Sequence, residues 1–271
     1  GIIGPWNFPL YLTIVPAGSA LGAGNRVMIR PSSVTARTTE VLCQRAPQYF
    51  AVDELAIAGP EHGRGSDFSK LAFDHLFFTG SPAVGKSVAK DAAENLTPVT
   101  LELGGKNPVV VDTSADLERA ARSIASSRMV NGGQVCMCPD YVFVPDDRVE
   151  AFCDAVLDQW RTSLPSIVGN PEYTATINKS NYDRIVGLIT DAEAKGAVKR
   201  DAAPAGERLP DPVVRKIAPT LLTGVTPDME IESDEVFGPV LTVYGYSTLD
   251  QAVRYINDRP SPLVLYWYGE K

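Results

Sequence analysis

The sequence predicts an α/β protein built on parallel β-sheets. Short apolar runs alternate with segments of helix length along nearly the whole chain of 271 residues. Turns with glycine and proline separate these runs, which is typical of βαβ units whose sheet is covered by helices on both faces. A chain of this length can form one large domain or two ordinary ones. We expect two domains, residues 1–103 and 104–271.

Five apolar runs are the expected strands of the first domain, at residues 1–3, 26–30, 54–58, 74–78 and 98–102. Helices are expected at 10–23 and 35–49, then before and after the fourth strand. Ligands of such sheets bind beyond the carboxyl ends of the strands. The residues that fall at those ends are Arg30, Thr79, Gly80, Ser81 and Glu102.

The second domain repeats the alternation with new elements. Its expected strands are 108–112, 140–144, 220–223, 240–244 and 263–268, and its expected helices are 116–130, 147–160 and 180–194. The polar stretch 199–215 contains proline and glycine and is expected to be an irregular connection.

The composition excludes several classes of protein. Hydrophobic residues make up 44% and charged residues 21%, which is typical of a soluble enzyme. The net charge of −8 argues against a nucleic-acid-binding protein. No apolar run reaches the roughly 20 residues that span a bilayer, and no signal peptide is recognised, so a reducing, cytoplasmic setting is expected. The four cysteines and two histidines lack zinc-site spacing, so no metal is expected.

Cys136 is the candidate nucleophile. It follows a polar, glycine-rich turn, residues 131–135, and precedes a strand. Such a loop can expose a thiol while the flanking elements hold it rigid. The local pattern fits a buried structural cysteine equally well.

Gly80, Ser81 and Gly85 form a candidate phosphate site between a strand and a helix. Glycine lets the backbone approach a phosphate, and a helix N-terminus supplies donors and partial positive charge. The spacing differs from GxGxxG, so an ordinary βα turn remains the alternative. Arg30 could meet a ribose or phosphate, or could be a solvated surface arginine.

Glu102, Asn7 and the pair Glu235 and Phe237 are the remaining candidates. Glu102 ends an apolar strand, so its carboxylate is expected to be partly desolvated and suited to a general base; a capping or ion-paired glutamate is the alternative. Asn7, fixed between prolines, could direct its amide N–H at an oxyanion, or could be a turn asparagine. Glu235 and Phe237 could offer a carboxylate and a ring edge to a ligand, or could pack the loop.

Taken together, five motifs in this order resemble the NAD(P)-dependent aldehyde dehydrogenase superfamily. They are PWNFP at 5–9, FTGS at 78–81, LELGGK at 101–106, GQVC at 133–136 and EVFGP at 235–239. The resemblance covers essentially the whole chain. The segments that look most like the class 3 branch, and within it the coniferyl aldehyde dehydrogenase group, are 73–80, 92–98 and 138–144.

The resemblance implies an aldehyde dehydrogenase-like fold. Residues 1–103 would be a Rossmann-type, parallel-sheet NAD(P)-binding domain and residues 104–271 an α/β catalytic domain, both truncated relative to the family. Cys136 would be the nucleophile, Glu102 the general base, and Asn7 with the Cys136 backbone N–H the oxyanion hole. The residues implied at NAD or NADP are Trp6, Arg30, Ser33, Gly80, Ser81, Gly85, Glu235 and Phe237.

The implied reaction oxidises an aldehyde to a carboxylic acid through a cysteine thiohemiacetal and a thioester. Aromatic or medium-chain aldehydes, such as coniferyl aldehyde, are the expected substrates, and a homodimer is implied for the full-length family. Two other functions remain open: a non-catalytic nucleotide-binding fragment and a cysteine-dependent esterase. The lack of a histidine suitably placed in the sequence to activate Cys136 counts against the esterase.

Five positions depart from the commoner family pattern. Gly132 stands where alanine is usual and is expected to loosen the turn, and Val135 replaces a threonine. Cys138 could trap Cys136 as an oxidation product or could be a structural thiol. Ser33 is uncharged where many NAD-preferring members have glutamate, and Arg30 adds a positive charge that can pair with phosphate. These last two residues predict that NADP is accepted.

Overall fold

The chain divides into two compact units in the computed structural model, which describes residues 1–270. The units are Gly1–Gly104 and Gly105–Lys271, and Lys271 itself lies outside the described residues. Each unit has its own sheet and its own hydrophobic clusters. The assignment of cofactor binding to the first and of catalysis to the second stays a prediction.

The first unit is a parallel sheet flanked by helices. Up to Gly104 its strands are β1 (Ile2–Ile3), β2 (Val27–Arg30), β3 (Leu55–Ile57), β4 (Leu76–Gly80) and β5 (Val99–Leu103). Its helices are α1 (Tyr11–Gly22), α2 (Ala36–Arg45), α3 (Gly65–Phe68) and α4 (Pro82–Ala93). The strand order is β3-β2-β1-β4-β5, and neighbouring strands are parallel.

This strand order has a topological switch point between β1 and β4. The chain first winds from β1 outward to β3 and then returns to place β4 on the other side of β1. Ile3 is in register with Phe78, so the turn after β1 and the turn after β4 leave the same edge of the sheet as neighbours. Ligands of open parallel sheets bind in the crevice at such a point.

The core of the first unit follows from the alternation of side chains along its strands. Val27 and Ile29 are buried in β2, whereas Met28 between them is exposed. Ile2 joins the cluster of β2, and Leu76 of β4 belongs to a second cluster with Phe78 and part of α4. The alternation of Val27, Met28 and Ile29 is the period of two that a strand imposes on its side chains.

Within residues 105–270 the second unit has a larger mixed sheet. Its strands are β6 (Asn107–Val111), β7 (Pro139–Pro145), β8 (Val198–Asp201), β9 (Thr220–Thr223), β10 (Val240–Tyr246) and β11 (Tyr266–Tyr268). Its helices are α5 (Leu117–Met129), α6 (Val149–Ser163), α7 (Lys179–Ala194), α8 (Glu230–Ser233) and α9 (Leu249–Asn257). The order is β11-β6-β7-β10-β9-β8, antiparallel between β8 and β9 and parallel elsewhere.

The amino ends of four strands meet at one edge of this second sheet. β11, β6, β7 and β10 are parallel and adjacent, so the segments that lead into them enter from the same side. The Cys136 loop, residues 130–138, leads into β7, and the Glu235 segment, residues 234–239, leads into β10. The sheet therefore brings these two candidate segments together.

Helices α5 and α6 cover the same face of the second sheet. Trp160 of α6 is 1% exposed, and its indole N–H donates to the Ala125 carbonyl of α5 at 2.9 Å. Cys153 and Phe152 are fully buried in the same cluster.

In residues 1–270, no helix is both long and apolar enough to cross a membrane.

Candidate active site

The loop before Cys136 has an unusual backbone. Asn131, Gly132 and Gly133 lie in succession in the left-handed region, with φ values of 51°, 63° and 77°. The loop joins the end of α5 to β7, and its last turn is closed by the Cys138 N–H, which donates to the Val135 carbonyl at 3.0 Å. Consecutive left-handed residues are unfavourable for side chains with a Cβ, so the two glycines suit this turn.

Both glycines also lie against other backbone segments. A Cβ on Gly132 would stand 2.8 Å from the Thr174 carbonyl oxygen, and one on Gly133 would collide with the Gly238 carbonyl. The expectation that Gly132 loosens the turn is therefore wrong for this chain. Its glycine permits a tightly packed, left-handed conformation.

Gln134 connects the loop to the segment before α7. Its side chain is buried, with 2% of the residue exposed. Its Nε2 donates to the carbonyls of Asn131 at 2.9 Å and Ala175 at 3.2 Å, and its Oε1 accepts from the Ile177 N–H at 2.9 Å. These three bonds hold the turn that precedes Cys136.

Cys136 itself is half-buried, and its carbonyl accepts from Asn107 Nδ2 at 2.7 Å. Cys138 differs from it. Cys138 is 5% exposed, its Sγ donates to the Ser127 carbonyl at 3.5 Å, and burial raises the pKa of its thiol. These contacts favour the structural interpretation of Cys138 over the oxidation trap.

The Glu235 segment is held by Arg184 of α7. The guanidinium donates to the carbonyls of Glu235 at 3.1 Å and Val236 at 2.7 Å. Phe237 follows with a left-handed backbone, φ 47°, and lies next to the Gly238 carbonyl on which Gly133 rests. The segment is thus part of the surroundings of the Cys136 loop.

The Glu235 carboxyl is half-buried and has a raised pKa of about 7. Burial is the larger cause, and the Asp140 carboxylate adds to it, while a hydrogen bond from the Gly105 backbone N–H opposes it. Glu235 can therefore change its charge near neutral pH, an electrostatic property that the sequence pattern did not reveal.

Asp140 is the buried charge at the centre of this region. Its carboxylate pairs with Lys106 and accepts from the Val236 N–H at 3.0 Å, and Arg128 lies 3.9 Å away. The side chains of Arg128 and Asp140 are 1% and 2% exposed. Sequence analysis did not identify this cluster, although a charged residue two positions after Cys138, at the start of an apolar strand, is a signal for it.

In the first unit, Trp6 and Asn7 occupy the turn after β1. Both are half-buried. The turn begins at Gly4, whose N–H donates to the Arg30 carbonyl at 3.0 Å and whose Cα faces the Thr13 hydroxyl so closely that a side chain would not fit. The neighbouring turn, after β4, carries Gly80 and Ser81, so the fold brings these four predicted residues to the switch point.

Ser81 caps α4, because its Oγ accepts from the Val84 N–H at 3.4 Å. Gly85 has a packing role: a Cβ there would stand 2.7 Å from Leu103 Cδ2. In dinucleotide-binding turns, one use of glycine is to let the helix that follows the turn pack closely against the sheet. A direct contact of Gly85 with a cofactor stays a prediction.

Arg30 is 8% exposed, so the alternative of a solvated surface arginine is wrong. Its guanidinium donates to the carbonyls of Ala58 at 3.0 Å and Gly63 at 2.7 Å, and also to that of Gly59. Arg30 thereby organises the loop after β3. Ser33 is exposed in the turn that follows β2, where contact with a ribose or a 2′-phosphate stays a prediction.

Glu102 is exposed, which corrects the expectation of a partly desolvated carboxylate. Its strand, β5, is the edge strand of the first sheet, where Glu102 is in register with Thr79 of β4. The apolar residues before Glu102 predicted correctly that it lies near the end of a strand. They could not predict its exposure, because that depends on β5 being an edge strand with one side open.

The residues of the first unit fit a dinucleotide. Three features lie together there: the switch point of a parallel sheet, a glycine at the end of β4, and the capped N-terminus of the 12-residue helix α4.

Among residues 1–270, no group of three or more His, Cys, Asp or Glu side chains is placed to hold a metal ion.

A model of the aldehyde dehydrogenase family matches residues 1–269 of this chain. The chain belongs to that family. A probable coniferyl aldehyde dehydrogenase of Caulobacter vibrioides is 47% identical over 271 residues, which is 99% of this chain and 56% of the relative. This family member therefore spans a little over half the length of the curated relatives it matches.

Two further comparisons concern the cofactor. A mouse aldehyde dehydrogenase described as dimeric and NADP-preferring is 37% identical over 273 residues, 99% of this chain and 57% of the relative. The crystal structure of a Mycobacterium tuberculosis aldehyde dehydrogenase complexed with NAD+ superposes with a TM-score of 0.86. It is 30% identical, with 100% of this chain and 56% of the other covered.

Proposed function

We propose that this protein oxidises an aldehyde to the carboxylic acid with NAD or NADP. The observation that carries the proposal is the Cys136 loop. Its left-handed glycine turn, its packing against Gly238 and its Gln134 bonds hold a half-buried thiol beside the segment of Glu235. A rigid support of this kind is what a nucleophile needs, and family membership supplies the reaction.

The proposed nucleophile is the Cys136 thiolate. It attacks the aldehyde carbon, and the resulting alkoxide of the thiohemiacetal accepts hydrogen bonds from the Asn7 amide and the Cys136 backbone N–H. Losing one such donor typically costs on the order of 10² to 10³ in rate. Oxidation leaves a thioester on Cys136, and Glu102 activates the water that releases the acid.

The proposed cofactor site lies in the first unit. Gly80, Ser81 and the start of α4 would hold the pyrophosphate, Arg30 and Ser33 would lie near the adenosine ribose, and Trp6 would lie near the cofactor. Glu235 and Phe237 would approach the nicotinamide. The nicotinamide, when bound, supplies the acceptor for the hydride that the thiohemiacetal loses.

The proposed substrate is an aromatic or medium-chain aldehyde. The similarity to a probable coniferyl aldehyde dehydrogenase makes coniferyl aldehyde the first compound to test. A homodimer is proposed on the family resemblance and on the relative described as dimeric, and light scattering of the purified protein tests it. A cytoplasmic setting stays a prediction from the sequence.

The absorbance of NAD(P)H formed from coniferyl aldehyde tests the function. Wild type should produce NAD(P)H, Cys136→Ala should produce none, and Glu102→Gln should accumulate an acyl adduct on Cys136 that mass spectrometry detects. Ester hydrolysis without cofactor would favour the esterase. Cofactor binding without turnover would favour the nucleotide-binding fragment.

Cofactor choice is tested separately with Ser33→Glu. We expect wild type to accept NADP, with less than a roughly hundredfold preference for NAD, which corresponds to about 2.7 kcal/mol. The added carboxylate should lower kcat/KM for NADP and leave that for NAD nearly unchanged, because it repels a 2′-phosphate. Equal losses with both cofactors would contradict a contact near the ribose.

A further inference from the structure

Asn107 has all the hydrogen-bonding groups of its side-chain amide in use at the base of the Cys136 loop. Its Nδ2 donates to the carbonyls of Cys136 at 2.7 Å and Cys138 at 3.0 Å. Its Oδ1 accepts from the backbone N–H groups of Leu263 and Val264, both at 3.2 Å. An amide has two donor hydrogens and two acceptor lone pairs, so no hydrogen-bonding capacity is left over.

This amide is buried and held in a fixed place. Asn107 is 1% exposed and is the first residue of β6, in register with Pro139 of β7. Hydrogen bonds are stronger in the protein interior than in water, and removing one partner leaves the buried group that it bonded unsatisfied. The bond to the Cys136 carbonyl is therefore a stable constraint on the loop.

We infer that Asn107 is a positioning residue for the Cys136 thiol, a role that rests on the proposed function. Gln134 holds the turn before Cys136, and Asn107 holds the backbone carbonyl of Cys136 itself. With the backbone fixed on both sides, the direction of the thiol depends on one side-chain torsion. Asn107 also ties this backbone to Leu263 and Val264, which precede the neighbouring strand β11.

Residue-resolved alkylation with iodoacetamide, read by mass spectrometry, tests this role without aldehyde or cofactor. Asn107→Ala should release the loop and raise the alkylation rate of Cys136 about fivefold or more, because local opening exposes the thiol. Cys153, which is fully buried in α6, reports on the rest of the unit and should stay within about twofold of its wild-type rate.

Turnover should move in the opposite direction. A small reagent needs an accessible thiol, whereas catalysis needs an oriented one, so kcat should fall roughly 10- to 100-fold while the KM for the cofactor changes less than about twofold. Asn95→Ala is the control. It removes a side-chain amide bond to the Lys70 carbonyl of the same length, 2.7 Å, in the first unit.

Asn107→Asp gives the same test if the alanine variant does not fold. As an ionised carboxylate it keeps the acceptor for Leu263 and Val264 but has no hydrogen to donate to the Cys136 carbonyl. The inference is overturned if Cys136 and Cys153 become reactive together, or if neither changes. If wild type oxidises no aldehyde, the proposed function fails, and the labelling result alone decides the role of Asn107.

Discussion

At the scale of single residues, the loop before Cys136 depends on a glycine that also departs from the commoner family string. Gly132 combines a left-handed φ of 63° with a close approach to the Thr174 carbonyl. Sequence comparison with the usual alanine indicated a looser turn. The backbone shows a turn that excludes a methyl group, because both its conformation and its surroundings are restrictive.

Gly132→Ala should therefore destabilise the protein by about 1–3 kcal/mol. It should also lower turnover, because the strain falls on the loop of the proposed nucleophile. Thermal unfolding and kcat measure the two effects. Gly187→Ala is the matched control: Gly187 is exposed in α7 with open space around it, and alanine there should stabilise by about 0.5–1 kcal/mol. Equal effects of the two changes would contradict the strained turn.

Glu235 should make the stability of the protein depend on pH. Its pKa is raised from 4.5 to about 7. Between these values the folded state binds more protons than the unfolded state, so this contribution to stability falls as the pH rises from 4.5 to 7. The penalty is complete above the folded-state pKa and absent well below the unfolded one.

Glu235→Gln should remove that penalty. At about pH 8 the variant should be more stable than wild type by on the order of 2 kcal/mol, and the difference should become small near pH 5. Denaturant unfolding at both pH values measures it, with the exposed Glu172→Gln as control. A gain that is the same at both pH values would contradict the raised pKa.

At the scale of elements, the two sheets place their candidate residues at opposite strand ends. In the first unit the turns of Asn7 and Ser81 follow β1 and β4, at the carboxyl ends that the general rule for parallel sheets predicts. In the second unit the Cys136 and Glu235 segments precede β7 and β10. The rule therefore predicted the place of Ser81, whereas Asn7 was proposed from its flanking prolines, and the rule gave no indication of the Cys136 and Glu235 segments.

Asp140 joins several elements of the second unit through one buried carboxylate. It lies in β7, pairs with Lys106 before β6, and accepts from Val236 before β10. Asp140→Asn would leave the cations of Lys106 and Arg128 without their buried counter-charge. Such a change typically costs 3–5 kcal/mol, so we expect a loss of about that size.

Denaturant unfolding measures the loss, and Asp154→Asn is its control. Asp154 pairs with Arg200 at the surface, where its side chain is 66% exposed. Removing an exposed pair should change stability by about 0–1 kcal/mol. A loss for Asp140→Asn no larger than that of the control would show that the buried cluster contributes little.

At the scale of the whole molecule, the two units carry separate cores, so a ligand of the first should protect that unit. NAD or NADP at about 100 times its Kd should stabilise the folded state by about 2.7 kcal/mol. Hydrogen exchange should slow most in the turns after β1 and β4, residues 4–10 and 80–85. Protection confined to residues 105–270 would contradict the assignment of the cofactor to the first unit.

Some elements could be predicted from the sequence and others could not. The strands predicted at 220–223 and 240–244 lie within β9 and β10, as expected of short segments rich in β-branched threonine and valine. β8, Val198–Asp201, was missed, and its residues 199–201 were assigned to an irregular connection, because it is a charged strand that pairs along one side with β9. α9 was also missed, although Thr248 and Gln251 form a capping box at its start.

By itself, the sequence determined the α/β class, the family and the order of its motifs around Cys136, Glu102 and Asn7. Those properties depend on local periodicity and on short runs of residues, which the chain carries whatever its environment. The tertiary structure alone decided that Arg30 is buried, that Glu102 is exposed, and that Asn107 and Asp140 support the Cys136 and Glu235 segments. These contacts join residues 28 to 156 positions apart, and no local pattern specifies which distant groups will meet.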